Sequence, residues 1–178
     1  MIRCLMSITI RPATPDDVEF ILQLIRDLAT FEKAPDAVKA TVEDLLRDGF
    51  GPHPRFESLI AQLDDRPAGF ALYFYNYSTW EGTTGIHLED IFVLPWARGH
   101  GVGRALIGAV AMRAKERRCP RLDLSVLHWN PAREVYRKLG FVPLSEWVSY
   151  RLEGEALSQL AARTAEGACV SERVEPDE

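Results

Sequence analysis

The stretch Arg98-Gly99-His100-Gly101-Val102-Gly103 carries glycine at alternate positions, between a segment that reads as a strand and one that reads as a helix. Glycine lets the backbone turn tightly and approach a ligand with no Cβ in the way. The amides of this loop, with those of the helical turn through Arg104, would converge on one place as an anion site suited to phosphate or pyrophosphate. Two familiar phosphate binders fail on residue identity. A P-loop needs Lys followed by Ser or Thr, and none follows here. A dinucleotide fingerprint needs Gly or Ala where Arg104 (counted from Gly99) or Leu106 (counted from Gly101) stands. What is left is another phosphate-bearing ligand, or a glycine-rich corner with none.

The elements that would hold this loop can be read in chain order. Ser7–Arg11 is a short β-rich segment closed by Pro12. Thr14-Pro15-Asp16-Asp17 starts a helix: a hydroxyl cap, proline in the first turn, and carboxylates at the positive end of the dipole. Val18, Ile21, Leu22, Ile25 and Leu28 continue it at helical spacing. Phe31–Pro35 reads as a loop, and Thr41–Asp44 as a capping box for a short helix stopping at Gly49. Strands are expected at Glu57–Leu63, Ala68–Asn76 and Gly85–Leu94, with a turn at Asp64–Pro67. After the glycine loop, Val102, Leu106, Ala109, Val110 and Ala114 mark a helix, and Leu122, Leu124 and Val126 alternate as a strand. Asn130-Pro131 starts a helix that ends at Gly140. Phe141–Leu152 is strand-like, Glu155–Ala162 helical, and 163–178 a polar, disordered tail. The order predicts one α+β domain over residues 7–162.

Composition narrows the class. The 178 residues suit a single core, with 47% hydrophobic and 26% charged residues. A net charge of −5 argues against nucleic-acid binding and mildly favours cationic partners. Cys4, Cys119 and Cys169 form no ligand cluster with the four histidines, so no metal is expected and a reducing, cytoplasmic compartment fits. No apolar run is long enough to span a membrane, and the opening MIRCLM is too short for a signal peptide. Met6 directly precedes the first patterned segment, which points to the first five residues as a start-codon artefact.

Two signatures together carry a resemblance. Arg98, Gly101 and Gly103 fit R-x-x-G-x-G, and His128–Phe141 places an Asn cap, a mid-helix Tyr and a closing Leu-Gly-Phe one strand later. This chain resembles the GNAT acetyltransferase superfamily in that order of signatures. Within it, Ile10–Thr14, Asp44–Pro54 and Leu88–Val93 resemble the diamine (spermidine/spermine or thialysine) acetyltransferases. The resemblance implies a GNAT fold, α+β with a mixed central sheet flanked by helices. It also implies acetyl-CoA as cosubstrate, direct transfer to a small cationic amine, and a homodimer.

Roles follow from the same resemblance. Glu89 is expected to bind substrate and deprotonate it through water, because a free alkyl amine arrives protonated at neutral pH. Asp90 would face the opposite side if strand pairing is regular. Tyr136 is the expected acid for the departing thiolate, or else a core aromatic. It stands one residue closer to Asn130 than in the diamine enzymes, and one residue turns a helix face by about 100°. A main-chain amide of Ile91, Phe92 or Val93 would polarise the thioester oxygen beside a bulge. Residues 98–104 (Arg98, Gly99, His100, Gly101, Val102, Gly103 and Arg104) and Asn130 would bind the cofactor. Phe31, Glu32, Asp90 and Glu146 would line the amine site. Phe31 replaces a Tyr there, and Glu146 reads equally as solvated surface. Trp129 reads as packing, and Lys33 as surface or as a phosphate neighbour. Rival readings are acetylation of another amine (a protein N-terminus, an amino acid or an antibiotic) and a non-catalytic acyl-CoA sensor.

Overall fold

A computed structural model describes residues 6–167, without the side chains of 165–167. The first five residues and 168–178, including most of the expected tail, lie outside the described residues. Chain contacts divide it into two compact units that meet between Arg133 and Glu134.

The first unit holds a five-stranded sheet in the order β1 (Ile8–Pro12), β2 (Glu57–Leu63), β3 (Arg66–Ser78), β4 (Thr83–Val93) and β5 (Leu122–Leu124). β1 to β4 pair antiparallel and β5 joins β4 in parallel, so the sheet is mixed. Helices α1 (Val18–Phe31) and α2 (Val42–Phe50) cover one face. There Val18, Ile21, Leu22, Leu24 and Leu45 bury against Ile60, Phe70, Leu72 and Phe92. Helix α3 (Val102–Glu116) packs along β1 to β4, with Val102, Leu106, Ile107 and Val110 buried. Facing aromatics differ in character. Tyr73 is fully buried, and its hydroxyl donates to Glu57 Oε2 at 2.7 Å, the hydrogen bond a buried phenol requires.

Local signals act as their chemistry dictates. The Thr41 hydroxyl accepts from the Asp44 amide while the Asp44 carboxylate accepts from the Thr41 amide, closing the capping box. Ahead of α1, Pro15–Asp17 forms one 3-10 turn, and the Asp17 carboxylate accepts from the Thr14 amide at 2.8 Å.

The second unit contains most of α4 (Ala132–Lys138) and α5 (Gly154–Gly167). The strand expected over Phe141–Leu152 is not formed; residues 141–153 lie outside helix and strand. Alternation alone makes no strand. A ladder needs a paired edge, Pro143 has no N–H to give one, and Trp147-Val148 breaks the period. α5 also runs five residues past the expected end of the terminal helix, to Gly167. Among the described residues no helix is long and apolar enough to cross a membrane.

Candidate active site

The glycine loop hangs from the end of β4. A 3-10 turn at Pro95–Ala97 leads to Arg98, whose Nε donates to the Val93 carbonyl at 2.9 Å and pins the loop to its strand. The same guanidinium lies 5.2 Å from the Phe92 ring centre and 5.3 Å from that of Phe31. Gly99 and Gly101 have φ of 81° and 89°, a region costly for any residue with a Cβ. Gly101 is the N-cap of α3, and its carbonyl accepts the first helical bond from the Ala105 amide at 3.0 Å. The amides of Val102, Gly103 and Arg104 therefore stand ahead of that bond, aimed out of the helix end.

Gly103 is the informative glycine. Its φ is not left-handed, and a Cβ there would meet only Val93 Cγ2 at an ordinary 3.7 Å. Neither backbone nor packing demands glycine, and the bare Cα leaves room for a ligand to approach the first-turn amides from outside. A diphosphate laid across the first-turn amides fits that cradle.

The strand that leads into this loop is open on one side. β5 pairs with β4 only at Ile86, His87 and Leu88, and it ends at Leu124. From Glu89 to Val93, β4 keeps β3 on one edge and has no strand on the other among the described residues. Ile91, Phe92 and Val93 thus present main-chain groups along a parted edge, as an extended ligand arm would need.

β4 is irregular where its acids sit. Its register with β3 steps from Leu72 opposite Asp90 to Tyr73 opposite Leu88, leaving Glu89 as an extra residue. The expectation that Glu89 and Asp90 turn to opposite environments rested on regular pairing, which this strand lacks. Cross-strand partners share a face, so Asp90 lies with Leu72, Phe70 and Phe92 on the α1 side. Burial, the nearby Glu89 and then Glu32 push its carboxyl up to about 6. Among the described residues no hydrogen bond or ion pair offsets these three influences. Glu89 is 55% exposed, and its Oε2 lies 3.5 Å from His87 Nε2, whose ring stacks on Phe74.

The end of α1 brings a further acid near Asp90. Glu32 is the C-cap residue, half-buried, with its amide donating to the Leu28 carbonyl at 2.8 Å. Phe31 packs on Trp129 with ring centres 6.0 Å apart, and Lys33 Nζ sits 4.7 Å over the Trp129 ring. Trp129 thus packs on Phe31, and Lys33 is engaged with it. The Asn130 side chain is buried and accepts from the Ala132 amide at 2.9 Å, the cap that starts α4. Tyr136 and Glu146 belong to the second unit. Tyr136 lies on α4 and stacks edge-on against Phe141 at 5.7 Å; Glu146 is exposed, outside helix and strand.

The structure thus brings Glu32, Asp90 and Glu89 together beside an open strand edge, with the glycine loop at the end of the same strand. His87 was missed by sequence reasoning, although its parity with Glu89 was available as a signal. The profile of the acetyltransferase (GNAT) family matches residues 19–141. The chain belongs to that family. It has the GNAT fold and is an acetyl-CoA-dependent N-acetyltransferase.

Among similar proteins, the thialysine N-epsilon-acetyltransferase of Bos taurus is 42% identical over 168 residues, covering 88% of this chain and 98% of that protein. The spermidine/spermine N(1)-acetyltransferase-like protein 1 of Homo sapiens is 35% identical over 163 residues, 85% of this chain and 23% of that longer protein. Among solved structures, an integron cassette protein of V. cholerae superposes with a TM-score of 0.73 at 27% identity, covering 88% of this GNAT chain and 99% of its own. An aminoglycoside N-acetyltransferase in complex with CoA shares the fold, with a TM-score of 0.68 at 24% identity and coverage of 86% and 100%.

Proposed function

We propose that this GNAT enzyme moves the acetyl group of acetyl-CoA directly to the primary amine of a small cationic substrate, of the thialysine or polyamine kind. The observation that carries the substrate class is the group of Glu32, Glu89 and Asp90 beside the open edge of β4. Three carboxylates grouped at one place attract an ammonium and disfavour anionic competitors. The thialysine and spermidine/spermine relatives support the same choice.

The chemistry follows from what each group can do. Loop amides from Gly99 to Arg104 hold the diphosphate, with Asn130 beside the pantetheine arm. A main-chain amide of Ile91–Val93 steadies the thioester oxygen as it gains charge. Glu89 takes the ammonium proton through water, and the freed lone pair attacks the carbonyl carbon. The C–S bond then breaks and the thiolate takes a proton from Tyr136, a phenol that stays protonated at neutral pH. Phe31 lines the amine site without a hydroxyl, and Glu146 is a further candidate carboxylate for the amine.

The family match crosses the boundary between the two compact units, which supports reading 7–162 as one catalytic domain. Exposed Val142, Leu144, Val148 and Leu152 support a homodimer, since a second copy would cover them. The buried free thiol of Cys119 suits a cytoplasmic setting.

The test pairs binding with turnover. Gly103→Ala should raise thermal stability slightly, because alanine in a helix is favoured over glycine by about 0.5–1 kcal/mol. It should also weaken CoA binding about tenfold or more in calorimetry. In assays over thialysine, putrescine, spermidine and lysine peptides, a small cation should lead. Tyr136→Phe should lower its kcat by about 100-fold or more with CoA affinity unchanged. A protein that binds CoA but acetylates nothing would instead be a sensor.

A further inference from the structure

We propose that Arg121, Asp123 and Asn76 form a second subsite for a zwitterionic α-amino-acid head. The enzyme would then acetylate the side-chain amine of a lysine-type amino acid in preference to a diamine or polyamine. The inference rests on the acetyl-transfer reading above and names the substrate class within it. Strand register places these residues. Leu72, Phe74 and Asn76 alternate along β3 toward one side of the sheet. Leu72 pairs with Asp90, Phe74 with His87 and Asn76 with Gly85. Burial fades along this row: Phe70 and Leu72 belong to the α1 core, whereas Phe74 and Asn76 are partly open. On β5, Asp123 pairs with His87, and the Arg121 carbonyl accepts from the Ile86 amide at 3.1 Å, which sets Arg121 beside Gly85. A Cβ on Gly85 would stand 2.6 Å from Asn76 Oδ1 and 2.9 Å from Arg121 Nε. The φ of Gly85 is not left-handed, so what glycine supplies here is room for the guanidinium to lie across β4.

Both signs of charge are present, and each keeps bonding capacity to spare. Arg121 Nε lies 3.0 Å from Asp123 Oδ2, yet its N–H is not directed at that oxygen, and this buried nitrogen has no hydrogen-bond partner among the described residues. The other contacts are long. Arg121 Nη2 donates to Asn76 Oδ1 at 3.5 Å, and Asn76 Nδ2 donates to Asp123 Oδ2 at 3.4 Å. The structural pair Arg11–Asp17 closes instead with two bonds of 2.7 Å. Arg121 and Asp123 are 35% and 32% exposed, so a ligand can reach them. A guanidinium fork takes a carboxylate through two N–H bonds, and Asp123 with the Asn76 amide oxygen takes an ammonium. Those are the two groups on the α-carbon of an amino acid. A diamine or polyamine brings a second cation, which Arg121 repels, and nothing for the fork. Length agrees as well. At the rise of a β-strand, Phe74 lies about 7 Å and Asn76 about 14 Å beyond Leu72, which stands opposite Asp90. Hydrogen bonds of about 3 Å at each end leave about 8 Å for the spacer, the extended reach of a lysine-type side chain from amine to carboxylate. Phe74 and His87, with ring centres 5.2 Å apart, lie along that path.

The test uses the full chain, acetyl-CoA and two pairs of amines that differ by one carboxylate: L-thialysine against bis(2-aminoethyl) sulfide, and L-lysine against cadaverine. In the wild type, kcat/KM should favour the amino acid by about tenfold or more in each pair, since a lost charged partner leaves the fork unmatched. Arg121→Gln should lower that ratio by about tenfold or more, and Arg121→Lys should restore part of it. The wild-type ratio needs no variant, so it stands even if Arg121→Gln folds poorly. A merely structural Arg121–Asp123 pair would lower the thermal midpoint of Arg121→Gln and leave the ratio where it was, and that result overturns the proposal. A wild type that turns over either diamine as well as its amino-acid counterpart overturns it too. Both results leave the acetyl-transfer reading standing, because an amine is still acetylated. A wild type that binds acetyl-CoA yet acetylates none of the four amines sinks that reading, and this inference with it.

Discussion

Two aspartates, Asp17 and Asp90, meet opposite surroundings in the same unit. The Asp17 carboxylate takes both arms of the Arg11 guanidinium at 2.7 Å each, together with the Thr14 amide and hydroxyl. Its carboxyl is held down at about 2, first by Arg11, and against its own desolvation. Asp90 has no such partner and is pushed up to about 6 by burial, Glu89 and Glu32. One charge ties β1 to the start of α1. The other is kept against its preference by a strand register, which leaves it ready for a proton or a cation from outside. Fold-holding and ligand-seeking carboxylates thus differ in their neighbours, not in their chemistry.

The comparison predicts stability effects of opposite sign. A raised folded pKa means that the native state binds the proton more tightly than the unfolded chain does. Asp90 therefore costs most above pH 6, and the cost fades as pH falls from about 6 toward 4. Asp90→Asn should stabilise the protein by about 2 kcal/mol at pH 8 in urea unfolding, with the gain shrinking steadily at lower pH. A destabilised Asp90→Asn at pH 8 would break the comparison. Asp17 works the other way. Its depressed pKa gives stability that is present above pH 4 and is lost as pH falls toward 2. Arg11 is 36% exposed, so solvent screening trims the full shift, and Asp17→Asn should cost about 1 kcal/mol at pH 7. The same titration at pH 2.5 should show little difference from wild type.

The two aspartates were also unequally legible in the sequence. Asp17 sits in Thr14-Pro15-Asp16-Asp17, where cap, proline and carboxylates within four residues announce a helix start. β2 was legible to its ends at Glu57 and Leu63, and the positive φ of Gly99 and Gly101 follows from their place before α3. Those signals are local, so one chain segment suffices to read them. The extra residue at Glu89 is a mismatch between two strands ten or more residues apart, and nothing within Leu88-Glu-Asp-Ile marks it. Asp90 therefore looked as if it turned away from Glu89. Phe141–Leu152 failed for a related reason: its strand-like residues were visible, but the partner edge that a strand requires is not a local property.

Glu89→Gln gives the smallest effect and the sharpest form of the comparison. It removes a charge that touches neither the Arg11–Asp17 pair nor the core, so a surface substitution of this kind should be almost silent. Beside Asp90 it should not be silent. Relief of like-charge repulsion should add a few tenths of a kcal/mol at pH 8. It should also move the pH at which wild-type stability begins to fall toward lower values. The sign follows from linkage: with one carboxylate fewer nearby, Asp90 gives up its proton more readily in the folded state, so less is lost on the way to pH 8. Carbonyl-stretch infrared spectra across pH 4–7, read as the difference between wild type and Asp90→Asn, would follow the titration at that one carboxyl. An unmoved midpoint in Glu89→Gln would mean that burial alone sets Asp90, and the contrast with Asp17 would then reduce to desolvation against pairing.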